Sequence, residues 1–233
     1  MKAVILAAGK GTRLRPLTND VPKPLVQING APFLAYLIER LSDAGCDELA
    51  LVVGYKRELI ADFCAERGID AELIIQEHQL GTGHAVRLCE DFVDNERFLV
   101  VMGDNLYDSR DIGTLAAAEG AYVAGLHHDH PERFGVLIER DGALVEIREK
   151  PTTFVGNLIN TGLYALTPDV FSCLRHITKS PTGEFYLTDA VTMLARKQTV
   201  AVHRLQHYWL DLGRYEDVSR VSQFMMQHGI VHE

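Results

Sequence analysis

The sequence predicts an α/β fold with a mainly parallel, mixed β-sheet and an antiparallel addition. In the first half, short apolar runs alternate with longer amphipathic stretches, which is typical of parallel strands joined by crossover helices. After Asp104 the strand-like runs follow one another closely, and Asp141-Gly142 separates two of them. Asp-Gly between such runs is a hairpin signal, so we expect antiparallel strands in this half.

Apolar runs predict the strands of the first half, and apolar residues at helical spacing predict its helices. Residues 33–44 carry apolar side chains at helical spacing and end at Gly45, and Gly68 ends a second helix in the same way. The elements predicted here are strands at 3–7, 49–53, 73–75 and 98–102 and helices at 33–44, 57–67 and 83–89.

The second half contains strand-like runs and one helical stripe. Val218, Val221, Phe224 and Met225 form this stripe, which Gly229 closes. The strands predicted for this half lie at 122–126, 136–139, 144–147 and 158–166.

Composition narrows the classes of function. The 233 residues fit one large domain, because single cores rarely grow beyond about 250–300 residues. A net charge of -9 argues against a nucleic-acid partner, since phosphate-backbone binding needs clustered cations. We expect no membrane span, because no apolar run approaches the ~18 residues that crossing a bilayer needs. The four cysteines are widely spaced, which favours a reducing, cytoplasmic location without zinc or disulfides.

A loop suited to binding phosphate follows the first predicted strand. Ala8, Gly9 and Gly11 are small, so backbone N–H groups can approach a polyphosphate without a bulky side chain in the way. Two better-known phosphate motifs do not match. The third glycine of G-x-G-x-x-G would fall at Leu14, and G-x-x-x-x-G-K-[ST] does not occur, which disfavours dinucleotide binding and kinase-type phosphate binding.

The same region concentrates positive charge in an otherwise acidic chain. Between residues 10 and 23 stand Lys10, Arg13, Arg15 and Lys23, against the single acid Asp20. Any phosphate site in this acidic chain must therefore lie in a locally basic segment such as this one. For Arg15 in particular, the alternative that it is only a solvated surface cation stays open.

The stretch from Leu6 to Leu25, LAAGKGTRLRPLTNDVPKPL, closely resembles the signature of the sugar-phosphate nucleotidyltransferase family. That family includes uridylyl-, thymidylyl- and guanylyltransferases. The resemblance implies catalytic roles for Arg13 and Lys23, which would neutralise phosphate charge during transfer. The nucleotide-binding residues that it implies in this stretch are Leu6, Ala8, Gly9, Gly11 and Thr12.

A second motif, QEHQLGTGHA at residues 76–85, resembles the base-reading segment of uridylyltransferases that make UDP-N-acetylglucosamine. The resemblance implies that Gln76 and Gly81 read the base. An amide side chain offers a donor and an acceptor, which suits a pyrimidine edge. Thr82 is expected to bind nucleotide, and an alternative interpretation makes it the N-cap of a helix.

Two aspartates are predicted to hold Mg²⁺. Gly103 and Asp104 follow the run 98–102, at the carboxyl end of an inner strand, where open α/β sheets bind ligands. Magnesium prefers one or two carboxylates together with phosphate oxygens and water. Asp211 lies in WLDLG, which matches the Trp-x-Asp-x-Gly of the thymidylyltransferase branch, where the UDP-N-acetylglucosamine enzymes have an Asn. The alternative for Asp211 is an N-cap of the last helix, and Gly103 is expected to contact nucleotide.

Four further residues match positions on the sugar side of the family. Gly135, Glu149, Lys150 and Asn160 are expected to bind the sugar phosphate, with Glu149 accepting from hydroxyls and Lys150 holding the phosphate. The stretch 184–189 also recurs in these relatives; its only predicted role is a helix start capped by its threonine.

The resemblance implies a Rossmann-like three-layer α/β/α nucleotide-diphospho-sugar transferase fold in a single domain, residues 1–233. Its nucleotide-binding part would span about 1–110 and its sugar-phosphate part about 111–233. The implied enzyme transfers a nucleotidyl group from a nucleoside triphosphate, UTP or dTTP favoured, to a sugar 1-phosphate and releases pyrophosphate. Two alternatives stay open: a phosphocholine cytidylyltransferase, and a non-catalytic regulatory subunit that binds nucleotide sugars. The exact nucleotide and sugar, and any homo-oligomer, are undetermined.

Overall fold

Strands and helices alternate along residues 1–232, which the computed structural model describes. The strands are β1 (Lys2–Leu6), β2 (Gln27–Ile28), β3 (Ala31–Pro32), β4 (Glu48–Val53), β5 (Ala71–Ile75), β6 (Phe98–Met102), β7 (Asn105–Tyr107), β8 (Ala121–His127), β9 (Gly135–Arg140), β10 (Ala143–Glu149), β11 (Leu158–Leu166), β12 (Val200–Arg204) and β13 (Trp209–Asp211). The α-helices are α1 (Phe33–Asp43), α2 (Arg57–Glu66), α3 (Thr82–Arg87), α4 (Glu90–Val93), α5 (Ser109–Ala117), α6 (Asp169–Leu174), α7 (Leu187–Ala195) and α8 (Asp217–Gln227). Short 3₁₀ turns span Thr12–Leu14, Lys23–Leu25 and Pro131–Arg133.

The main sheet has nine strands in the order β5-β4-β1-β6-β11-β8-β12-β10-β9. Its first four strands are parallel, and β11 then runs antiparallel to both β6 and β8. The β9–β10 hairpin closes the far edge, and both residues of its turn, Asp141 and Gly142, have positive φ as a tight hairpin turn requires. The predicted mixed sheet with an antiparallel addition is confirmed.

Two apolar cores lie on opposite faces of this sheet. In β1, Ala3 and Ile5 belong to one core, and Val4 between them belongs to the other, because side chains alternate along a strand. Helices α1, α2, α5 and α8 cover the first face, whereas α3, α4, α6 and α7 cover the second. Each fully buried Ile or Leu contributes about 1.5–3 kcal/mol. The predicted three layers follow from these two cores.

The second half holds more helix than predicted. Helices α5 and α6 were not predicted, although the Asp108 side chain accepts from Arg110 N at 3.0 Å and caps α5. Helix α7 begins at Leu187, close to the predicted start, but the cap was wrong. Thr188 lies inside the helix, and its hydroxyl donates to Glu149 Oε1 at 3.0 Å.

All four cysteines are buried and free. Within residues 1–232, the helices are too short or too polar to cross a bilayer.

Asp111 of α5 anchors the segment that leads into β13. This buried carboxylate accepts hydrogen bonds from His203 Nε2 at 3.2 Å and His207 Nδ1 at 3.1 Å. It also accepts from the backbone N–H groups of Gln206 at 3.0 Å and His207 at 2.9 Å. The strand that carries Asp211 is therefore tied to α5 by one side chain.

We predict that Asp111→Asn lowers the free energy of unfolding by about 3 kcal/mol, because the amide places N–H donors against the N–H donors of the anchored segment. Urea denaturation measures this change. Asp141→Asn, in the exposed hairpin turn, is the control and should leave stability nearly unchanged, since Asn tolerates positive φ. Equal stabilities for the two variants would contradict the anchoring role.

Candidate active site

A cavity of about 440 Å³ opens at the carboxyl ends of β1 and β6. Residues from the loop after β1, from segment 76–85 and from the strand ends meet there. Of the predicted site residues, its walls include Leu6, Ala8, Gly9, Lys23, Gln76, Gly81, Thr82, Asp104, Glu149 and Lys150.

A second cavity of about 190 Å³ adjoins the first. The two share wall residues, among them Thr82, Glu149 and Lys150. The second cavity adds the predicted residues Gly135, Asn160 and Asp211. The structure thus brings the predicted nucleotide side and sugar side together as neighbouring compartments.

Four predicted residues line neither cavity. Two of them, both glycines, pack against wall residues of the larger cavity. Gly11 has a φ of +60°, and a Cβ there would lie 2.9 Å from Lys23 Cβ. A Cβ on Gly103 would lie 2.9 Å from Leu6 O. These glycines permit close packing under the loop. The other two are Thr12 and Arg13, which are exposed.

The loop after β1 leaves its backbone donors free. The N–H groups of residues 8–11 donate to no acceptor within residues 1–232. A Cβ on Gly9 would have no atom within 4 Å, so packing does not demand a glycine there. The open space above Gly9 lets an anion reach these N–H groups.

Segment 76–85 is joined to this loop by Gln79, which was not among the predicted site residues. Gln79 lines the larger cavity and donates from Nε2 to Ala8 O at 2.8 Å. Nearby, the buried Gln76 donates from Nε2 to Gly81 O at 3.1 Å and to His84 Nδ1 at 3.0 Å. The position of Gln79 inside the 76–85 motif was the sequence signal that could have identified it as a site residue.

The stretch 184–189, for which no chemical role was predicted, holds segment 76–85 in place. Phe185 N donates to Leu80 O, and Gly83 N donates to Phe185 O, both at 2.8 Å. A Cβ on Gly81 would lie 2.5 Å from Phe185 O, so only glycine fits. Two residues of this stretch, Glu184 and Tyr186, also line the larger cavity.

Thr82 does not cap its own helix. Gly81 occupies the N-cap of α3, and Thr82 Oγ1 instead accepts from Leu187 N, the first N–H of α7, at 3.0 Å. The alternative interpretation of Thr82 as the N-cap of α3 was therefore wrong. Its hydroxyl connects two helix starts at the cavity wall.

Asp104 and Asp211 are brought together by a two-stranded ribbon. In the β7–β13 pairing Asp211 lies opposite Asn105, and Leu212 N donates to Asp104 O at 2.9 Å. Asp211 ends β13, six residues before α8 begins, so its alternative role as an N-cap was wrong. Asp104 also forms an ion pair with the buried Lys23.

The environment of Asp211 is costly for a carboxylate. Burial, together with the negative charge of Asp104, raises the pKa of Asp211 to about 6, and the charges of Lys23 and Arg13 act in the opposite direction. A Cβ on Gly213 would lie 2.6 Å from Asp211 Oδ2. The glycine of the Trp-x-Asp-x-Gly motif therefore leaves room for this carboxylate.

Glu149, on the predicted sugar side, accepts a hydrogen bond from Thr188 and lies close to Gly135. Partial desolvation raises the pKa of Glu149, and the hydrogen bond from Thr188 acts against that rise. A Cβ on Gly135 would lie 3.1 Å from Glu149 Oε1. Asn160 donates to Tyr164 Oη at 2.5 Å and accepts from Gly162 N at 3.1 Å.

Lys150 follows Glu149 with a φ of +41°, an unfavourable conformation for a side chain of this size. Such strain concentrates at functional sites. Lys150 lines both cavities. Its charge is therefore available to an anion at their junction.

Residues 2–228 match the family described as nucleotidyl transferase. The chain belongs to this family. It is 36% identical to the UTP–glucose-1-phosphate uridylyltransferase AglF of Haloferax volcanii over 97% of each protein. It is 39% identical to the bifunctional protein GlmU of Methanococcus vannielii, over 98% of this chain but only 56% of that protein.

Solved structures share the fold of this nucleotidyl transferase. A UDP-glucose pyrophosphorylase complexed with UDP-glucose superposes with a TM-score of 0.87, at 25% identity over 97% of this chain and 98% of that one. A Bacillus anthracis protein described as a glucose-1-phosphate thymidylyltransferase superposes with a TM-score of 0.86, at 28% identity over 96% of this chain and 94% of that one. The predicted family, fold and enzyme class are confirmed.

The carboxylates of this nucleotidyl transferase fit a magnesium ion. Asp104 and Asp211 are neighbours whose mutual repulsion a divalent cation would relieve. Beside them the buried Asn105 Oδ1 has no partner within residues 1–232. In that part of the chain, no three His, Cys, Asp or Glu side chains group as metal ligands. Two carboxylates completed by substrate oxygens and water suit magnesium.

We predict that Asp211→Asn stabilises the metal-free protein above pH 6 by on the order of 1–3 kcal/mol. The folded pKa of about 6 lies above the ordinary 3.8, so ionisation destabilises the folded state progressively between about pH 4 and pH 6. Asparagine removes this penalty. The stability difference should therefore vanish near pH 4. Thermal denaturation in EDTA from pH 4 to 8 measures it, and a constant difference across this range would contradict the assignment.

Proposed function

We propose that this nucleotidyl transferase joins UTP or dTTP to a hexose 1-phosphate, glucose 1-phosphate foremost, and releases pyrophosphate. The observation that carries the proposal is the junction of the two cavities. On one side the unpaired N–H groups of residues 8–11 stand near Lys23 and the base-reading segment. On the other side Glu149 and Asn160 stand near Asp211. The AglF relative, named for glucose 1-phosphate and UTP, supports these substrates.

The chain's residues would mainly position two anions against their repulsion. Free N–H groups of the loop would hold the triphosphate, and Lys23 would neutralise charge that builds up during transfer. Lys150 would hold the sugar phosphate, whose oxygen attacks the α-phosphorus while pyrophosphate leaves. When bound at Asp104 and Asp211, Mg²⁺ supplies further charge compensation. Since the incoming phosphate is the nucleophile, no covalent enzyme intermediate is needed.

Arg13 stands apart in this arrangement. It is exposed and lines neither cavity, although its charge lowers the pKa of Asp211. We propose that Arg13 joins Lys23 on the phosphates once the triphosphate is bound, with Thr12 beside it. Both lie in the short turn that directly follows the free N–H groups.

The finer organisation is also a proposal. Residues 1–110 supply the loop, the base-reading segment and Asp104, and residues 111–233 supply the sugar side together with Asp211. The four buried free cysteines support a cytoplasmic location.

A pyrophosphate-release assay tests the reaction. Purified protein with Mg²⁺ should release pyrophosphate from UTP or dTTP with glucose 1-phosphate, and much less from CTP with phosphocholine. Replacing the sugar phosphate with free glucose should abolish release, because free glucose lacks the phosphate oxygen that attacks the α-phosphorus. Release from CTP with phosphocholine alone would favour the cytidylyltransferase. Nucleotide-sugar binding without release from any pair would favour the regulatory subunit.

We predict that Asp104→Ala lowers kcat at least about a hundredfold with little loss of stability. The Asp104 side chain is 30% exposed, so its removal opens no cavity in the core. Initial rates across a magnesium titration and urea denaturation measure both effects. Asp91→Ala, on an exposed position of α4, is the matched control. Near-normal turnover in Asp104→Ala would end the metal assignment.

A further inference from the structure

The amide of Gln76 is held in one orientation. A backbone carbonyl can only accept, so Gly81 O, 3.1 Å away, must face the NH₂ end of this amide. The second N–H of the same NH₂ group points to His84 Nδ1 at 3.0 Å. Both donors of Gln76 are therefore used inside the protein. Its Oε1 accepts no hydrogen bond within residues 1–232 and is the amide atom left for a ligand in the cavity.

His84 accepts this hydrogen bond only through an unprotonated Nδ1. The residue lies in α3 and is partly buried. Partial burial lowers the pKa of His84, and the charges of Arg87 and His78 lower it further. The ring is consequently neutral near pH 7, with its proton on Nε2 and its Nδ1 lone pair directed at Gln76.

An exposed oxygen and a hidden NH₂ group favour one kind of base edge. Uracil and thymine carry an N3–H group, and Gln76 Oε1 can accept a hydrogen bond from it. Cytosine has a lone pair at N3, which would oppose the lone pairs of Oε1. Sites built around a specific hydrogen bond reject analogues strongly when the mismatch leaves buried polar groups unpaired.

We propose that His84 is a positioning residue that selects the base, because it holds Gln76 with its carbonyl oxygen toward the ligand. This inference rests on the proposed function and deepens it, naming pyrimidines with an N–H donor at N3. Without an acceptor at position 84, one buried N–H of Gln76 loses its partner. The amide is then held by Gly81 O alone, so turning it to present NH₂ to the N3 lone pair of cytosine costs one hydrogen bond instead of two.

Nucleotide binding tests this role without requiring turnover. Isothermal titration calorimetry with Mg²⁺ gives the ratio of Kd for CTP to Kd for UTP. His84→Phe fills similar space without an acceptor, and we expect the ratio to fall at least tenfold. His84→Asn places an amide oxygen near the position of Nδ1, and we expect it to restore the ratio to within about threefold of the unmodified protein.

Two further variants complete the test. His176→Phe, at an exposed histidine just after α6 that lines neither cavity, should leave the ratio unchanged. If the phenyl ring prevents folding at position 84, His84→Ala gives the same comparison. A purely structural role would weaken UTP and CTP binding by the same factor and leave the ratio constant, which would overturn the proposal.

The proposed function and the role of His84 can fail separately. Loss of UTP preference in His84→Phe supports the His84 role even if no sugar 1-phosphate releases pyrophosphate. An unmodified protein that releases pyrophosphate from UTP, together with a His84→Phe variant that keeps the original Kd ratio, would overturn the His84 role and leave the reaction standing. An unmodified protein that binds CTP as tightly as UTP would also overturn it.

Discussion

Asp104 and Asp211 lie side by side because β7 pairs with β13, and the rest of the site is arranged around these two carboxylates. Outside a ligand complex, Lys23 offsets part of their repulsion through its ion pair with Asp104. Asp111 ties the approach to β13 into α5, and Gly213 leaves the space that the Asp211 carboxylate occupies. The two carboxylates are thus held close together by the β7–β13 pairing, by the hydrogen bonds of buried Asp111, and by the absence of a side chain at Gly213.

The paired carboxylates lower the stability of the ligand-free protein, and under the proposed function they are where phosphates and a cation would bind. The raised pKa of Asp211 and the positive φ of Lys150 both show unfavourable local states that the surrounding structure maintains. The free N–H groups of residues 8–11 are a third case, because they lack protein acceptors. Under the proposed function, a divalent cation would offset the charge of Asp211, a sugar phosphate would pair with Lys150, and a triphosphate would accept hydrogen bonds from the free N–H groups.

Elements with strong periodic patterns were predictable from the sequence. The runs that became β6 and β11 had the predicted bounds, since their side chains are almost all buried and most are apolar. Helices α5 and α6 were missed because they are short and their packing partners come from distant strands, so local pattern alone is weak. The stretch 184–189 gained a role only through its hydrogen bonds to Leu80 and Gly83, about a hundred residues away.

The sequence by itself determined the family, the mixed sheet and the residue types of the site, because glycine loops, strand periodicity and long motifs are written locally along the chain. Tertiary structure alone decided which residues act together. Only folding could show that Gln76 turns its oxygen outward, since that depends on Gly81 O and His84 Nδ1 approaching the same NH₂ group. The same holds for the meeting of Asp104 and Asp211, because pairing between distant strands follows from three-dimensional packing.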